Sequence, residues 1–200
     1  VCANFERFAK NLIQRYNQNS GTLEFKSISF SNALPSASMQ KVEILAEETH
    51  NKDMGPCKLI LTDGTKVVYK PRSMLAEKIV CRFFSECEEK IHNLYPQFLR
   101  EEKKILGTYA ILDKGDYGYC ELLENKREEN VLDTENKIMA FLTKFLLIEA
   151  LGRELGISDL HYGNIFIVKQ CLCIVDGEVI MIPITSIYET NLIDHANSGL

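Results

Sequence analysis

The spacing of hydrophobic residues changes several times along the chain, and each change marks a different element. The apolar residues between Asn4 and Tyr16 are three or four positions apart, which predicts a helix. They are Phe5, Phe8, Leu12 and Ile13. A stretch rich in Ser and Asn, residues 17–38, has little periodicity apart from a short strand-like run at Leu23–Phe25.

Two runs in the middle of the chain have the β-branched and other apolar residues that are typical of strands. Residues 57–62 and 65–70 are separated by an Asp-Gly pair, which is typical of a tight hairpin turn. The proline at position 71 ends the second strand. Ser73 can then cap a helix that we expect from about Met74 to Lys90.

A second hairpin and a long helix follow. The hairpin is predicted from residues 107–112 and 119–123, which flank a turn with two glycines. Thr134 begins the helix and Gly156 is expected to end it. The apolar positions predict its buried face. They are Ile138, Phe141, Leu142, Phe145, Leu146 and Leu151.

Two short strands, residues 165–168 and 172–175, come after this helix. The whole order indicates an α+β fold, with an antiparallel sheet and one helix followed by a helix-rich part. A kinase nucleotide cleft is surrounded by elements in the same order, so we expect a two-lobed, kinase-like core. Its parts are an N-terminal helix and linker (1–47), an N-lobe-like sheet and helix (48–124) and a C-lobe-like part (125–200).

Composition and charge narrow the function classes. The 200 residues are 46% hydrophobic and carry a net charge of −5 without a basic block, which argues against a nucleic-acid partner. No run resembles a membrane span or a signal peptide, so we expect no membrane insertion. Seven cysteines without a C-x-x-C pair predict reduced, buried thiols, a cytoplasmic location and no zinc. Because the first residue is Val1 and not Met, we expect a fragment.

A lysine at the end of the first hairpin has the position that phosphoryl transfer requires. Transfer from ATP needs a cation on the phosphates, oxygen ligands for Mg²⁺ and a group that positions the acceptor. Lys70 ends a strand whose residues resemble the V-A-I-K strand of kinases. Its acidic partner would come from the next helix, where Glu77 and Glu86 are equal candidates. The ordinary alternative is a solvated lysine at a sheet edge.

The loop after the long helix contains the other residues of this chemistry. Asp159 and Asn164 are five apart, as are the catalytic Asp and the metal-binding Asn of kinases. Asp159 would orient or deprotonate a hydroxyl, Asn164 would bind Mg²⁺, and His161 would assist proton transfer. Asp176 follows an apolar strand, where a second metal ligand is expected. Each of these polar residues alone could simply belong to a turn. Their occurrence in this order after Lys70 is specific to a kinase-type site.

Three blocks of the sequence resemble the dehydratase domain of class II lanthipeptide synthetases. They are Glu48–Asn51 with Leu61–Ser73, Asp116–Tyr119, and Ser158–Asn164 with Val175–Asp176. The Tyr-Lys-Pro-Arg-Ser and Asp-Leu-His-Tyr-x-Asn strings carry most of the resemblance, which covers about two-thirds of the chain.

The resemblance implies a fold similar to lipid kinases. It also implies phosphorylation of Ser and Thr in a precursor peptide with ATP and Mg²⁺, followed by elimination of phosphate. Kinase roles are implied for Lys70, Asp159, His161, Asn164 and Asp176, with Arg72 at the nucleotide. His50 matches a second active-site histidine, and Glu48 lies where the family usually has Asp.

Two departures from the family pattern bear on activity. Lys52-Asp53-Met54 stands where the family has Gly-Gly-Arg, and glycines allow close approach of the backbone to phosphates. The arginine and threonine that promote elimination have no identifiable counterpart. These differences argue against elimination more than against phosphorylation. Two alternatives remain: a truncated or inactive fragment that binds nucleotide or a partner without turnover, and a small-molecule or lipid kinase.

Overall fold

The computed structural model describes residues 2–29, 37–45, 55–94, 104–124, 131–157, 160, 162–168 and 171–175. Over these residues the fold is α+β, as the sequence predicted. The chain divides into two compact units. The first comprises residues 1–75 and 110–122, and the second comprises residues 76–109 and 123–200. The ranges drawn from the sequence, 1–47, 48–124 and 125–200, stay a prediction.

The described elements are four α-helices, eight strands and a short 3-10 turn. The helices are α1 (Cys2–Asn19), α2 (Leu23–Ser29), α3 (Leu75–Leu94) and α4 (Glu135–Leu155). The strands are β1 (Met39–Ile44), β2 (Cys57–Leu61), β3 (Lys66–Lys70), β4 (Leu106–Gly107), β5 (Ile111–Asp113), β6 (Gly118–Glu121), β7 (Ile165–Val168) and β8 (Cys171–Ile174). The first unit contains an antiparallel sheet in the order β1-β2-β3-β6-β5, and the second contains β4-β8-β7.

The predicted hairpin of β2 and β3 is confirmed. Its strands pair antiparallel, with Lys58 opposite Val68. Gly64 adopts a φ of 84°, a left-handed conformation that glycine enters without strain. The Gly64 N–H donates to the Leu61 carbonyl over 2.9 Å, so the turn is also closed by a hydrogen bond.

One face of the first sheet packs against α1 and α2. Side chains alternate between the two faces of a strand, so every second residue of β2 and β3 enters this core. The buried members are Phe8, Leu12, Tyr16, Phe25, Ile28, Cys57, Leu59, Leu61, Val67, Tyr69, Leu112, Tyr117 and Tyr119. The predicted helix at the N-terminus is therefore confirmed, and its apolar stripe explains why it packs on the sheet.

The strand-like run at Leu23–Phe25 was misread, because it begins helix α2. The Thr22 hydroxyl accepts a hydrogen bond from the Phe25 N–H over 3.1 Å, which satisfies a free donor of the first helical turn. Phe25 and Ile28 are three residues apart and both are buried, which is helical spacing. Strand β1, which pairs with β2 at the end of the sheet, was not predicted.

The second hairpin is shorter than predicted. It is formed by β5 and β6 around Gly115, whose φ is 89°. Gly107, placed in this hairpin by the sequence, belongs instead to β4, which runs parallel to β8. A Cβ atom on Gly107 would lie 2.3 Å from the Cys173 sulfur and 2.4 Å from the Leu172 carbonyl oxygen. Only glycine allows this approach of the two strands.

Both ends of α4 are as the sequence predicted. The Thr134 hydroxyl accepts from the Lys137 N–H over 3.3 Å, and Gly156 ends the helix with a φ of 64°. The predicted buried face is partly wrong. Ile138, Leu142 and Leu146 are exposed, whereas the residues buried on this helix are Lys144, Ile148, Gly152 and Leu155. The helix is apolar on more than one side, so periodicity alone did not select the packed face.

The described cysteine side chains are free thiols, in agreement with the prediction of reduced cysteines. Cys57, Cys120, Cys171 and Cys173 are buried, while Cys81 and Cys87 are only partly covered. Burial raises the pKa of the Cys57 thiol to about 12, so this group is unreactive at neutral pH. Among the described helices, none has the length and apolar character that a membrane span requires.

Candidate functional site

Lys70 is a buried lysine within the first sheet and not a solvated edge residue. It is the last residue of β3, a strand with β2 on one side and β6 on the other. Only 7% of its surface is exposed. Tyr69 is in the core under α1 and α2, so strand alternation directs Lys70 to the opposite face of the sheet. Burial of a charged side chain is uncommon without a functional or structural partner.

The link from Lys70 to α3 is held by Asp113 of β5. One Asp113 carboxylate oxygen accepts from the Met74 N–H over 2.8 Å and from the Ser73 hydroxyl over 3.1 Å. The Ser73 hydroxyl in turn accepts from the Leu75 N–H over 3.2 Å, which confirms the predicted cap at the start of the helix. The chain after the lysine is therefore fixed by side-chain bonds.

Gly118 lies opposite Lys70 in the neighbouring strand β6. A Cβ atom at this position would lie 2.8 Å from the Met74 side chain and 2.9 Å from the Leu112 carbonyl oxygen. The missing side chain therefore makes room for Met74, which is completely buried. The glycine of the Asp116–Tyr119 block thus has a packing role beside the lysine.

Arg72, predicted to contact the nucleotide, lies two residues after Lys70 and is partly buried. Its guanidinium donates to the carbonyl oxygen of Ser73 over 3.0 Å. Arg72 thus lies in the same segment between β3 and α3 as Ser73, in the first unit with Lys70.

Burial distinguishes the two acidic residues that the sequence left open as partners of the lysine. Glu77, in the first turn of α3, is 1% exposed. Glu86 has a side chain that is 54% exposed and pairs with Arg82 over 2.8 Å. Glu77 therefore has the buried environment expected of a functional carboxylate, while Glu86 makes an ordinary surface ion pair of small energetic value.

Asn164 lies in the second unit at the start of the β7–β8 hairpin. It ends a 3-10 turn, Tyr162–Asn164, and is 9% exposed. Its carbonyl oxygen accepts from the Val175 N–H over 2.8 Å, one step beyond the pair of Ile165 with Ile174. The hairpin thereby holds Asn164 beside the residue that precedes Asp176 in the chain.

Leu160 lies between Asp159 and His161 in the sequence, and the structure describes it. It is 2% exposed and belongs to the hydrophobic core of the second unit. Five predicted site residues lie outside the described residues, so their roles stay predictions. They are Glu48, His50, Asp159, His161 and Asp176. Over the described ranges, no three His, Cys, Asp or Glu side chains form a group that could hold a metal.

A polar cluster that was not predicted from the sequence lies on the helix-covered face of the sheet, opposite the face of Lys70. Arg15 of α1 donates to the Tyr69 hydroxyl over 2.7 Å and to the Asp116 carboxylate over 2.5 Å. Its guanidinium also lies 4.3 Å from the centre of the Tyr117 ring. Asn19, one turn further along α1, donates to the Tyr117 hydroxyl over 2.8 Å.

Burial raises the pKa of the Tyr69 hydroxyl, while the hydrogen bond from Arg15 acts in the opposite direction. The hydroxyl therefore remains protonated at neutral pH and accepts from Arg15 as a neutral group. A signal for this cluster was present in the sequence, because Arg15 and Asn19 continue the helical spacing of the buried residues Phe8 and Leu12.

Comparison with protein families gives a match over nearly the whole chain. Residues 1–199 match the model of a family described as a domain of unknown function, DUF4135. The chain belongs to this family, which is associated with lanthipeptide synthetase-like proteins. No curated protein matches the chain.

Proposed function

We propose that this protein phosphorylates Ser or Thr in a precursor peptide with ATP and Mg²⁺, as the first step of lanthipeptide dehydration. The observation that supports it most is the hydrogen bond from Val175 to the carbonyl oxygen of Asn164. It holds Asn164 beside Val175, and Asp176, the other predicted metal ligand, follows Val175 directly in the sequence.

The chemistry of these two residues fits a magnesium site. An amide oxygen from Asn164 and a carboxylate from Asp176 are ligands of the kind that Mg²⁺ prefers. Asn164 is 9% exposed, so its position on the short turn before β7 is fixed by the surrounding structure. When bound, Mg²⁺ would neutralise charge on the phosphates.

The remaining roles follow from the order of residues and from burial. Lys70 would hold the nucleotide phosphates from the end of a central strand, with Arg72 contributing a second cation. Of the two acidic candidates, Glu77 supports this function better, because it is 1% exposed whereas Glu86 is occupied by Arg82 at the surface. Asp159 would orient the acceptor hydroxyl, with His161 and His50 assisting proton transfer and Glu48 nearby in sequence.

Calorimetric titration of the chain with Mg·ATP tests the proposal. Lys70→Ala and Asp176→Ala should each weaken binding about tenfold to a hundredfold, because each removes a charged contact to the ligand. Lys66→Ala, at an exposed position of the same strand, is the matched control and should bind normally. Glu77→Gln should weaken binding more than Glu86→Gln.

A second measurement separates catalysis from binding alone. Asp159→Ala should retain Mg·ATP affinity and lose phosphate transfer to a Ser-containing peptide by about 10²–10⁴-fold, the usual contribution of a positioned base. A folded wild-type chain that does not bind Mg·ATP would refute the proposal. Binding without transfer to the peptide would instead favour a fragment that binds nucleotide without turnover. Transfer to a small molecule or a lipid would favour a small-molecule or lipid kinase.

A further inference from the structure

The cluster on the covered face of the first sheet is directed at the strand that carries Lys70. Arg15 of α1 donates to the Tyr69 hydroxyl over 2.7 Å, and Tyr69 is the residue immediately before Lys70. Tyr69 is 1% exposed and the Arg15 side chain is 22% exposed, so this part-buried bond lies at the margin of the core. The two residues are 54 positions apart in the sequence, which makes the bond a tertiary link between α1 and β3.

Arg15 and Asn19 hold two neighbouring parts of the sheet from the same face of α1. While Arg15 binds Tyr69, its guanidinium covers the Tyr117 ring, and Asn19 donates to the Tyr117 hydroxyl. Asn19 is 4% exposed and also donates to the Arg15 carbonyl oxygen over 2.7 Å. The second half of α1 therefore contacts β3 and the residue that precedes β6.

Strand geometry transmits this contact to the opposite face. Successive side chains of a strand point to opposite faces, so the orientation of Tyr69 determines the direction of Lys70. β3 ends at Lys70, which pairs with Gly118 of β6, and Pro71 follows, so Tyr69 is the last residue of the strand whose side chain enters the core. The Tyr69 ring also packs against Tyr119 with ring centres 5.4 Å apart, and Tyr119 is its partner across the strands.

We propose that Arg15 is a positioning residue for Lys70, acting through its hydrogen bond to Tyr69. The use of Lys70 at a nucleotide rests on the proposed function, whereas the link from α1 to the lysine strand does not. Helix α1 is then part of the machinery of the site and not only a cover for the core. A purely structural contact of α1 with the sheet is the alternative that the test must separate.

The test measures acylation of lysine amines in the intact chain without nucleotide, resolved by peptide mass spectrometry. Arg15→Met keeps the apolar stem of the side chain but removes the guanidinium and its donors. Tyr69→Phe removes the same bond from the other side. Lys114→Met is the matched control, because Lys114 pairs with Glu24 over 2.7 Å, joining α2 to the β5–β6 turn without contacting β3.

Both single variants should raise the acylation rate of Lys70 about fivefold. Loss of one hydrogen bond changes the equilibrium between the held and the exposed lysine by about this factor. The double variant should show no further increase over Arg15→Met, because Arg15→Met already removes the bond that Tyr69→Phe removes. Lys58 of β2 reports loosening of the first unit and the buried Lys144 of α4 reports unfolding of the second. Both should keep their rates, as should Lys70 in Lys114→Met. Unchanged labelling of Lys70, or equal increases at Lys70 and Lys58, would overturn the positioning role.

Titration of the same variants with Mg·ATP distinguishes this proposal from the proposed function. If wild type binds, Arg15→Met should weaken affinity about fivefold, and it should have no effect in the Lys70→Ala background. Additive losses in that background would show that Arg15 acts on stability alone. If wild type does not bind while Lys70 labelling responds as expected, the proposed function fails and the positioning of Lys70 by Arg15 stands.

Discussion

The two hydrophobic cores of this protein are built from different side chains. The core of the first unit is rich in aromatic rings, among them Phe25, Tyr69, Tyr117 and Tyr119. Aliphatic side chains predominate in the core of the second unit, where Phe84 is the one fully buried ring among the described residues. In the first unit several ring pairs meet edge to face, as Phe25 and Tyr119 do at 5.1 Å and 83°.

The two cores differ in how strongly their side chains are held in one orientation as well as in the volume of those side chains. Aliphatic side chains stabilise a core by area and packing and tolerate swaps of similar volume. Tyrosines add a hydroxyl that fixes orientation when it finds a partner. Tyr16 donates to the Ala37 carbonyl oxygen over 2.6 Å, and the Tyr69 and Tyr117 hydroxyls accept from Arg15 and Asn19. The more directional core belongs to the unit that contains Lys70.

The largest expected effect is the loss of a buried ring from the aliphatic core. Phe84 is 1% exposed, and Phe84→Ala should lower the free energy of unfolding by about 3–5 kcal/mol because it removes apolar contacts and leaves a cavity. Leu94→Ala, on the same helix at a 68% exposed position, should change it by less than about 0.5 kcal/mol. Urea denaturation measures both, and equal effects would contradict the described packing.

A pair of tyrosines tests the directional contribution in the first unit. Tyr69→Phe should lower the free energy of unfolding by about 1–2 kcal/mol, since Arg15 loses one of its two acceptors and keeps Asp116. Tyr119 is fully buried, and its hydroxyl has no hydrogen-bond partner within the described part of the chain. Tyr119→Phe should therefore be neutral or stabilising by up to about 1 kcal/mol. Thermal and urea unfolding would decide, and a destabilised Tyr119→Phe would show that its hydroxyl is bonded.

The smallest effect is expected at the exposed end of the first sheet, outside the core. Hydrogen bonds lower the pKa of Glu43 from 4.5 to about 2, and the bond from Lys41 has a larger effect than the bond from Lys58. A lowered pKa means that the contribution of Glu43 is complete above pH 4.5 and is lost as the pH falls through about 2. Urea midpoints measured across this range should therefore fall less in Glu43→Gln than in wild type. Lys41→Met should flatten the curve similarly, and a wild-type-like curve would exclude the interaction.

Much of the fold was predictable from local sequence, and the failures have a common cause. The β2–β3 hairpin, the β7–β8 strands and the caps of α4 depend on residues close together in the chain, such as Gly64 and Thr134. The exposed positions on α4 and the short helix α2 were misjudged, because both depend on which surface of an apolar segment meets a partner.

The candidate site divides in the same way. The order of Lys70, Arg72 and Asn164 was readable from sequence, and the structure buries Lys70 and Asn164. The choice between Glu77 and Glu86 was not readable, because both lie on one helix and only burial separates them. Arg15 was missed because its helical spacing indicates the packed face of α1 but not which tyrosine the side chain will meet.

The amino-acid sequence by itself determined the type and limits of most elements, since the periods of strand and helix, the turn glycines and the capping hydroxyls act over a few residues. Tertiary structure decided the partners. The parallel pairing of Leu106 with Leu172, the bond from Arg15 to Tyr69 and the contact of Asn164 with Val175 join residues between 11 and 66 positions apart. Such contacts form only when the cores have assembled, because their energy is gained after the intervening chain has been ordered.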